Sequence, residues 1–133
     1  MNRYAIGFRW AVILGVVANL SLAVPGVFVP NAVLGLVGLP PAMQQIWPSF
    51  ASLLLILLSL MYLPAAYDPF AYRPVAWLAV GARAVGAIYF LGFHPEYLAF
   101  GLLDLVFGLI EGVLLLAAYA RGPVDLELAE AHP

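Results

Sequence analysis

Residues 98–120 read LAFGLLDLVFGLIEGVLLLAAYA. A helix of about 20 mostly apolar residues crosses the roughly 30 Å hydrocarbon core of a bilayer, and this stretch is long and apolar enough to do so. It also carries a pattern. Gly101, Asp104, Gly108, Glu111 and Gly112 recur at the three- and four-residue spacing that puts side chains on one side of a helix. A membrane span with two acids on a glycine-rich face needs partner helices to cover it.

Composition agrees with a membrane setting. The chain has 133 residues, 65% hydrophobic and 9% charged, with a mean hydropathy of +1.04. A soluble domain carries about 25% charged residues. Five basic and seven acidic side chains cannot coat such a surface, which excludes an ordinary soluble enzyme, a nucleic-acid binder and a disordered chain. Cysteine is absent, so a disulfide framework, an Fe–S cluster, a zinc-thiolate site and a thiol nucleophile are excluded too.

Working outward from residues 98–120, three more windows are apolar enough to span, at about 4–24, 47–63 and 74–93. The expected fold is all-α: an integral membrane antiparallel four-helix bundle forming a single domain over 1–133. Arg3 and Arg9 ahead of an apolar run resemble the start of a signal peptide, but the run is too long and lacks an Ala-x-Ala exit, so an uncleaved first span is expected. The loops 64–73 and 92–97 are short. The first loop is longer and apolar, and its segment at about 27–39 is expected to form a short interfacial helix over 32–37, capped by Asn31 and stopped by Gly38 and Pro40. Arg3, Arg9, Arg73 and Arg121 all fall on one side of a four-span chain, which predicts cytoplasmic termini; the expected location is a bacterial inner membrane. The acidic tail covers 121–133, and His132 within it is set aside.

Helices in lipid associate through close packing of small residues and interhelical hydrogen bonds. The first span has Gly7, Ala11, Gly15, Asn19 and Ala23 four apart; the third has Gly81, Ala82, Gly86 and Ala87. The second span is leucine-rich with Ser52 and Ser59 seven apart, so its leucines are expected to face lipid. Eight Tyr and Trp residues near span ends, Tyr62 among them, read as an interfacial aromatic belt.

The ionisable groups inside the spans are Arg83, Asp104 and Glu111, each costing about 2.5–3.5 kcal/mol on insertion scales. Counting back from a hairpin turn near Pro95 places Arg83 level with about residue 107. Each acid is then roughly 5–6 Å away along the axis, within reach of a guanidinium. An intramembrane Arg–carboxylate cluster is therefore expected, with Asn19 as a further polar group. One Arg neutralises one acid. The other must be protonated, meet Arg9 or face water. His94 and Glu96 have no second ligand pair beside them, so no metal site is expected. There is no catalytic triad, P-loop or zinc motif, and catalysis by this chain alone is not expected.

The step Gly81-Ala82-Arg83 in the third span and GLLDLVFGLIEG (101–112) in the fourth resemble the DoxX-like membrane proteins. That resemblance covers most of the chain, and Arg83 and Glu111 map onto the family's arginine and acid; Asp104 does not. It implies an accessory subunit of a membrane complex, linked to a quinone or a lipid, with possible partner membrane subunits. Three readings stand at this point. The first is such an accessory subunit, with a cleft lined by Arg83, Asp104, Glu111 and Asn19, touched by Arg9 and roofed by residues 27–39. The second is a small homo-oligomeric transporter or channel using Asp104 and Glu111 for a proton or cation. The third is a structural membrane protein whose charges only specify packing.

Overall fold

The computed structural model describes residues 1–123. The first window becomes α1, Arg3–Phe28. After it come α2 (Pro30–Leu36), α3 (Ile46–Met61), α4 (Leu63–Tyr67), α5 (Arg73–Ile88) and α6 (Leu98–Arg121). A π-helical turn, Tyr89–Phe93, extends α5, and a 3-10 turn, Pro95–Tyr97, leads into α6. Four segments are long and apolar enough to cross a membrane: Arg3–Phe28, Ile46–Tyr67, Arg73–Phe93 and Pro95–Arg121. The described residues form an all-helical four-helix membrane bundle.

Helix α1 lies at its centre. It packs against α3 on one side and α6 on the other, and α5 packs on α6. The small-residue face explains this position. A Cβ on Gly7 would touch the Leu114 side chain of α6, and one on Gly26 would collide with Ser52 of α3. The leucines of α3 point outward, with Leu53, Leu54, Leu57 and Leu60 exposed, as expected of a lipid-facing surface.

Three local expectations are corrected. Helix α1 does not stop before Pro25. That proline removes one helical hydrogen bond, but the last turn is held from outside, where Ser49 donates to the Val27 carbonyl at 2.7 Å. Residues 64–67 are not loop: after a one-residue break at Tyr62 the chain continues as α4, whose Ala65 and Ala66 are buried against the bundle. Asn31 does not cap the short helix. Pro30, with its φ preset for a first turn, starts α2 two residues earlier, and Asn31 Oδ1 instead accepts from the Ala42 N–H at 2.9 Å. Gly38 does end the helix, at φ +80°. The tail residues 124–133, including His132, lie outside the described residues.

The two halves of the bundle differ. At the end where α1 begins and α6 finishes, hereafter the terminal end, the interior is filled by Phe8, Val12, Val16, Tyr62 and Leu115. Tyr62 is 4% exposed, so it belongs to this core and not to an aromatic belt. Asn2 ties the end together. Its Oδ1 caps α1 by accepting from Ala5 N–H at 2.9 Å, and its Nδ2 donates to the carbonyls of Ala118 (2.9 Å) and Gly122 at the close of α6. One buried amide thus serves the start of the first helix and the end of the last, placing the start of α1 and the end of α6 at one end of the bundle. Tyr119 adds a second tie, donating to the Pro69 carbonyl at 2.8 Å beneath the Arg73 guanidinium.

Asn2→Ala removes all three bonds and leaves helix-end groups unpaired. The expected loss is about 1–3 kcal/mol, read from denaturant or SDS unfolding followed by circular dichroism.

Candidate functional site

The intramembrane charges meet where α6 packs on both α5 and α1 and the Arg83 side chain of α5 reaches across to α1, and glycines make that approach possible. A Cβ on Gly108 would lie 2.9 Å from Arg83 Cβ, so α6 presses its bare backbone on the root of the arginine. This puts Arg83 level with 107–108, the register expected from the turn count. A Cβ on Gly86 would overlap the Asp104 carboxylate, and one on Gly15 would lie 2.6 Å from Arg83 Nη2. Three helices each contribute a glycine to one bed of charge.

Within that bed Arg83 Nη1 donates to Asp104 Oδ1 at 2.9 Å and to Asn19 Oδ1 at 3.2 Å. Asn19 in turn donates from Nδ2 to Ser59 Oγ at 3.0 Å, linking α3 to the network. The guanidinium also lies 5.2 Å from the Phe107 ring centre, a favourable cation–π position. Arg83 Nε is buried and without a partner. Glu111 is 2% exposed and stands beside Arg83 without touching it: its Oε1 would lie 3.2 Å from the same Gly15 Cβ that meets Nη2, yet the two form no ion pair or hydrogen bond.

Of the expected site residues, the structure brings Arg83, Asp104 and Asn19 into contact and places Glu111 next to them. Arg9 is elsewhere. Its Nε donates to the Ala66 carbonyl at 3.0 Å and its Nη2 to that of Tyr67 at 2.8 Å, closing the last turn of α4. Arg9 is level with Glu111, but it sits about 200° round the helix from Gly7 and so off the face that meets α6. Sequence reasoning missed Ser59 as the partner of Asn19. The signal was present in two polar residues, each on the small face of its own span.

Beyond the cluster, toward the loop end, the bundle opens. Helices α3 and α6 both pack on α1 but make at most marginal contact with each other. Between them lies a cavity of about 690 Å³. Asn19 and Asp104 form its polar floor; Ala51, Leu55 and Leu103 belong to its walls; Val33 of α2 and Pro40 of the following loop cover it. Arg83 and Glu111 are not among its lining residues, so the cleft is floored by the edge of the cluster rather than built around its middle. Phe90, Tyr97 and Phe100 form an aromatic rim with ring centres 5.8–6.3 Å apart. Here the π-helical turn matters: it lets Leu91 lie over Gly101, where a Cβ would come within 2.7 Å of that side chain.

The pair His94–Glu96 is exposed, with Nδ1 and Oε1 3.4 Å apart. Among the described residues no group of three His, Asp or Glu side chains is arranged to hold a metal ion. No family model, curated protein or solved structure matches this chain.

Removing one partner of a buried ion pair costs about 3–5 kcal/mol, while replacing the whole set by apolar or neutral groups is often tolerated. Arg83→Met is expected to destabilise by that amount. Arg83→Met combined with Asp104→Asn and Glu111→Gln is expected to recover most of it. Because Glu111 stands close enough to Arg83 to replace Asp104 as counter-ion, Asp104→Asn is expected to cost clearly less than Asp104→Asn with Glu111→Gln. A thermodynamic cycle from SDS unfolding measures all three.

Proposed function

We propose that this chain binds an apolar membrane molecule with a small polar end, of the lipid or quinone class, and does so as an accessory subunit of a larger membrane complex. One observation carries the binding part: an apolar-walled cavity of about 690 Å³ ends on two polar side chains at membrane depth. Ligand sites in proteins are typically about 300–1,000 Å³, mostly apolar, with a few placed polar groups. Here the polar groups are fixed in position. Asn19 is held between Arg83 and Ser59, and Asp104 by Arg83. The gap between α3 and α6 gives a lateral route from the bilayer.

The accessory role rests on the resemblance to DoxX-like proteins and on the lack, among the described residues, of any constellation that would perform chemistry. The arginine distribution, with Arg3, Arg9, Arg73 and Arg121 toward the terminal end, supports cytoplasmic termini and a cavity opening into the outer leaflet. A path through one chain finds less support, since past Glu111 the interior is filled by Phe8, Val12 and Leu115.

Native mass spectrometry after gentle extraction from the protein's own cells tests this reading. The expected result is one apolar molecule per chain together with stoichiometric partner subunits. Ala51→Phe, which fills the cavity wall, is expected to lose the bound molecule while keeping the helical signal. Bare protein carrying only bulk phospholipid in variable amounts would contradict the proposal.

A further inference from the structure

The hydrogen-bonding capacity of the cavity's polar groups is unbalanced, and this bears on what occupies it. Donors are largely engaged. Ser52 Oγ donates to the Pro48 carbonyl at 2.8 Å, Trp47 Nε1 to Gln44 Oε1 at 2.9 Å, and Asn19 Nδ2 to Ser59 Oγ at 3.0 Å. The Asn19 carbonyl is also occupied, by Arg83 Nη1. Asn19 keeps one amide hydrogen, on a side chain 3% exposed. The Tyr97 hydroxyl belongs to the rim, seven residues and about 10 Å of helix from the floor.

Acceptor capacity is different. An ionised carboxylate accepts about four hydrogen bonds. Asp104 receives one, from Arg83, and its side chain is 20% exposed, against 5% for Arg83. It is the one charged residue among the described residues lining the cavity; no Arg, Lys or His is among them. The unpartnered Arg83 Nε is sealed beneath the floor and offers an occupant nothing. An anionic head would meet a carboxylate and no cation. A head that only accepts, such as a ketone or an ester, would leave Asp104 without a donor.

We infer that the cavity selects an amphiphile whose buried end donates a hydrogen bond to Asp104, a long-chain alcohol or amine, over one whose end only accepts and over an anion. This rests on the proposed binding cavity and narrows it: of the quinone class, the reduced quinol, which donates, fits the cavity and the quinone, which only accepts, does not. The apolar chain lies along Leu22, Leu55 and Leu103 toward the aromatic rim, and the donor sits at Asp104. Hydrogen bonds to charged groups contribute about 1.5–3 kcal/mol, so the preference is about tenfold or more.

Trp47 lines the cavity, whereas Trp10 and Trp77 lie toward the terminal end. In a Trp10→Phe/Trp77→Phe protein, Trp47 fluorescence reports occupancy by bromine-tagged chains of equal length ending in an alcohol, an amine, a methyl ketone or a carboxylate. The alcohol or the amine is expected to half-saturate quenching at about one tenth of the ketone or carboxylate concentration or less. An amine ahead of the alcohol would assign the preference to charge, and equal binding to the hydrogen bond alone. Asp104→Asn is expected to bring alcohol and ketone together. Saturable quenching with the ketone as good as the alcohol overturns the donor preference and leaves the cavity reading intact. No saturable quenching by any probe overturns both. Competition between equimolar alcohol and ketone on the unmodified protein, followed by native mass spectrometry, separates the same outcomes without any substitution.

Discussion

The structure turns on one guanidinium held inside the membrane. Arg83 is tolerable there because Asp104 is 2.9 Å away, Asn19 accepts a second bond, and Phe107 lies alongside. Charge at this depth must be paired or it destabilises the fold. Pairing needs three helices in close approach, and close approach needs missing side chains. Gly15, Gly86 and Gly108 supply that space, each at a point where a Cβ would meet Arg83 or Asp104. The glycine pattern and the charge pattern are thus a single feature. The charges can be held only where the glycines make room for them.

The cluster also divides the interior. On the terminal side, aromatic and aliphatic side chains fill the bundle, Asn2 locks the first helix to the last, and Arg9 closes α4. On the loop side, α3 and α6 part, and α2, packed on α1, covers the cavity between them. Asp104 stands at the boundary, with one oxygen held by Arg83 and the side chain partly open to the cavity. Glu111 stands behind it, sealed, near enough to share the arginine. A fixed polar floor under an apolar cover suits the proposed holding of an apolar molecule from the bilayer.

Much of this was legible from residue spacing. Four spans follow from apolar length, and the face of α1 follows from Gly7, Ala11, Gly15, Asn19 and Ala23. The level of Arg83 follows from counting back through a short turn, because a helical hairpin fixes register once its turn is known. What escaped prediction depends on long-range contact. Pro25 reads as a terminus, yet a serine from another helix holds the turn beyond it. Tyr62 reads as interfacial because it lies near a span end, yet the span runs on through α4 to Tyr67 and Tyr62 turns into the core. Arg9 has the right depth to meet Glu111 and the wrong azimuth, and azimuth depends on which face each neighbour takes. A cleft at the charges roofed by residues 27–39 was expected; its position between α3 and α6, which leaves Arg83 and Glu111 out of its lining, depends on how little those two helices contact each other.

The division into a sealed half and an open half is central, and the chain offers a clean way to measure it. It contains no cysteine, and Ser52 and Ser59 lie two turns apart on the same face of α3, one lining the cavity and the other buried in the network. Single Ser52→Cys and Ser59→Cys variants, treated with a small membrane-permeant thiol reagent in lipid nanodiscs, report the two halves directly. The account predicts ready modification at position 52 and protection at position 59 until the protein is unfolded. Equal modification at both positions would contradict it.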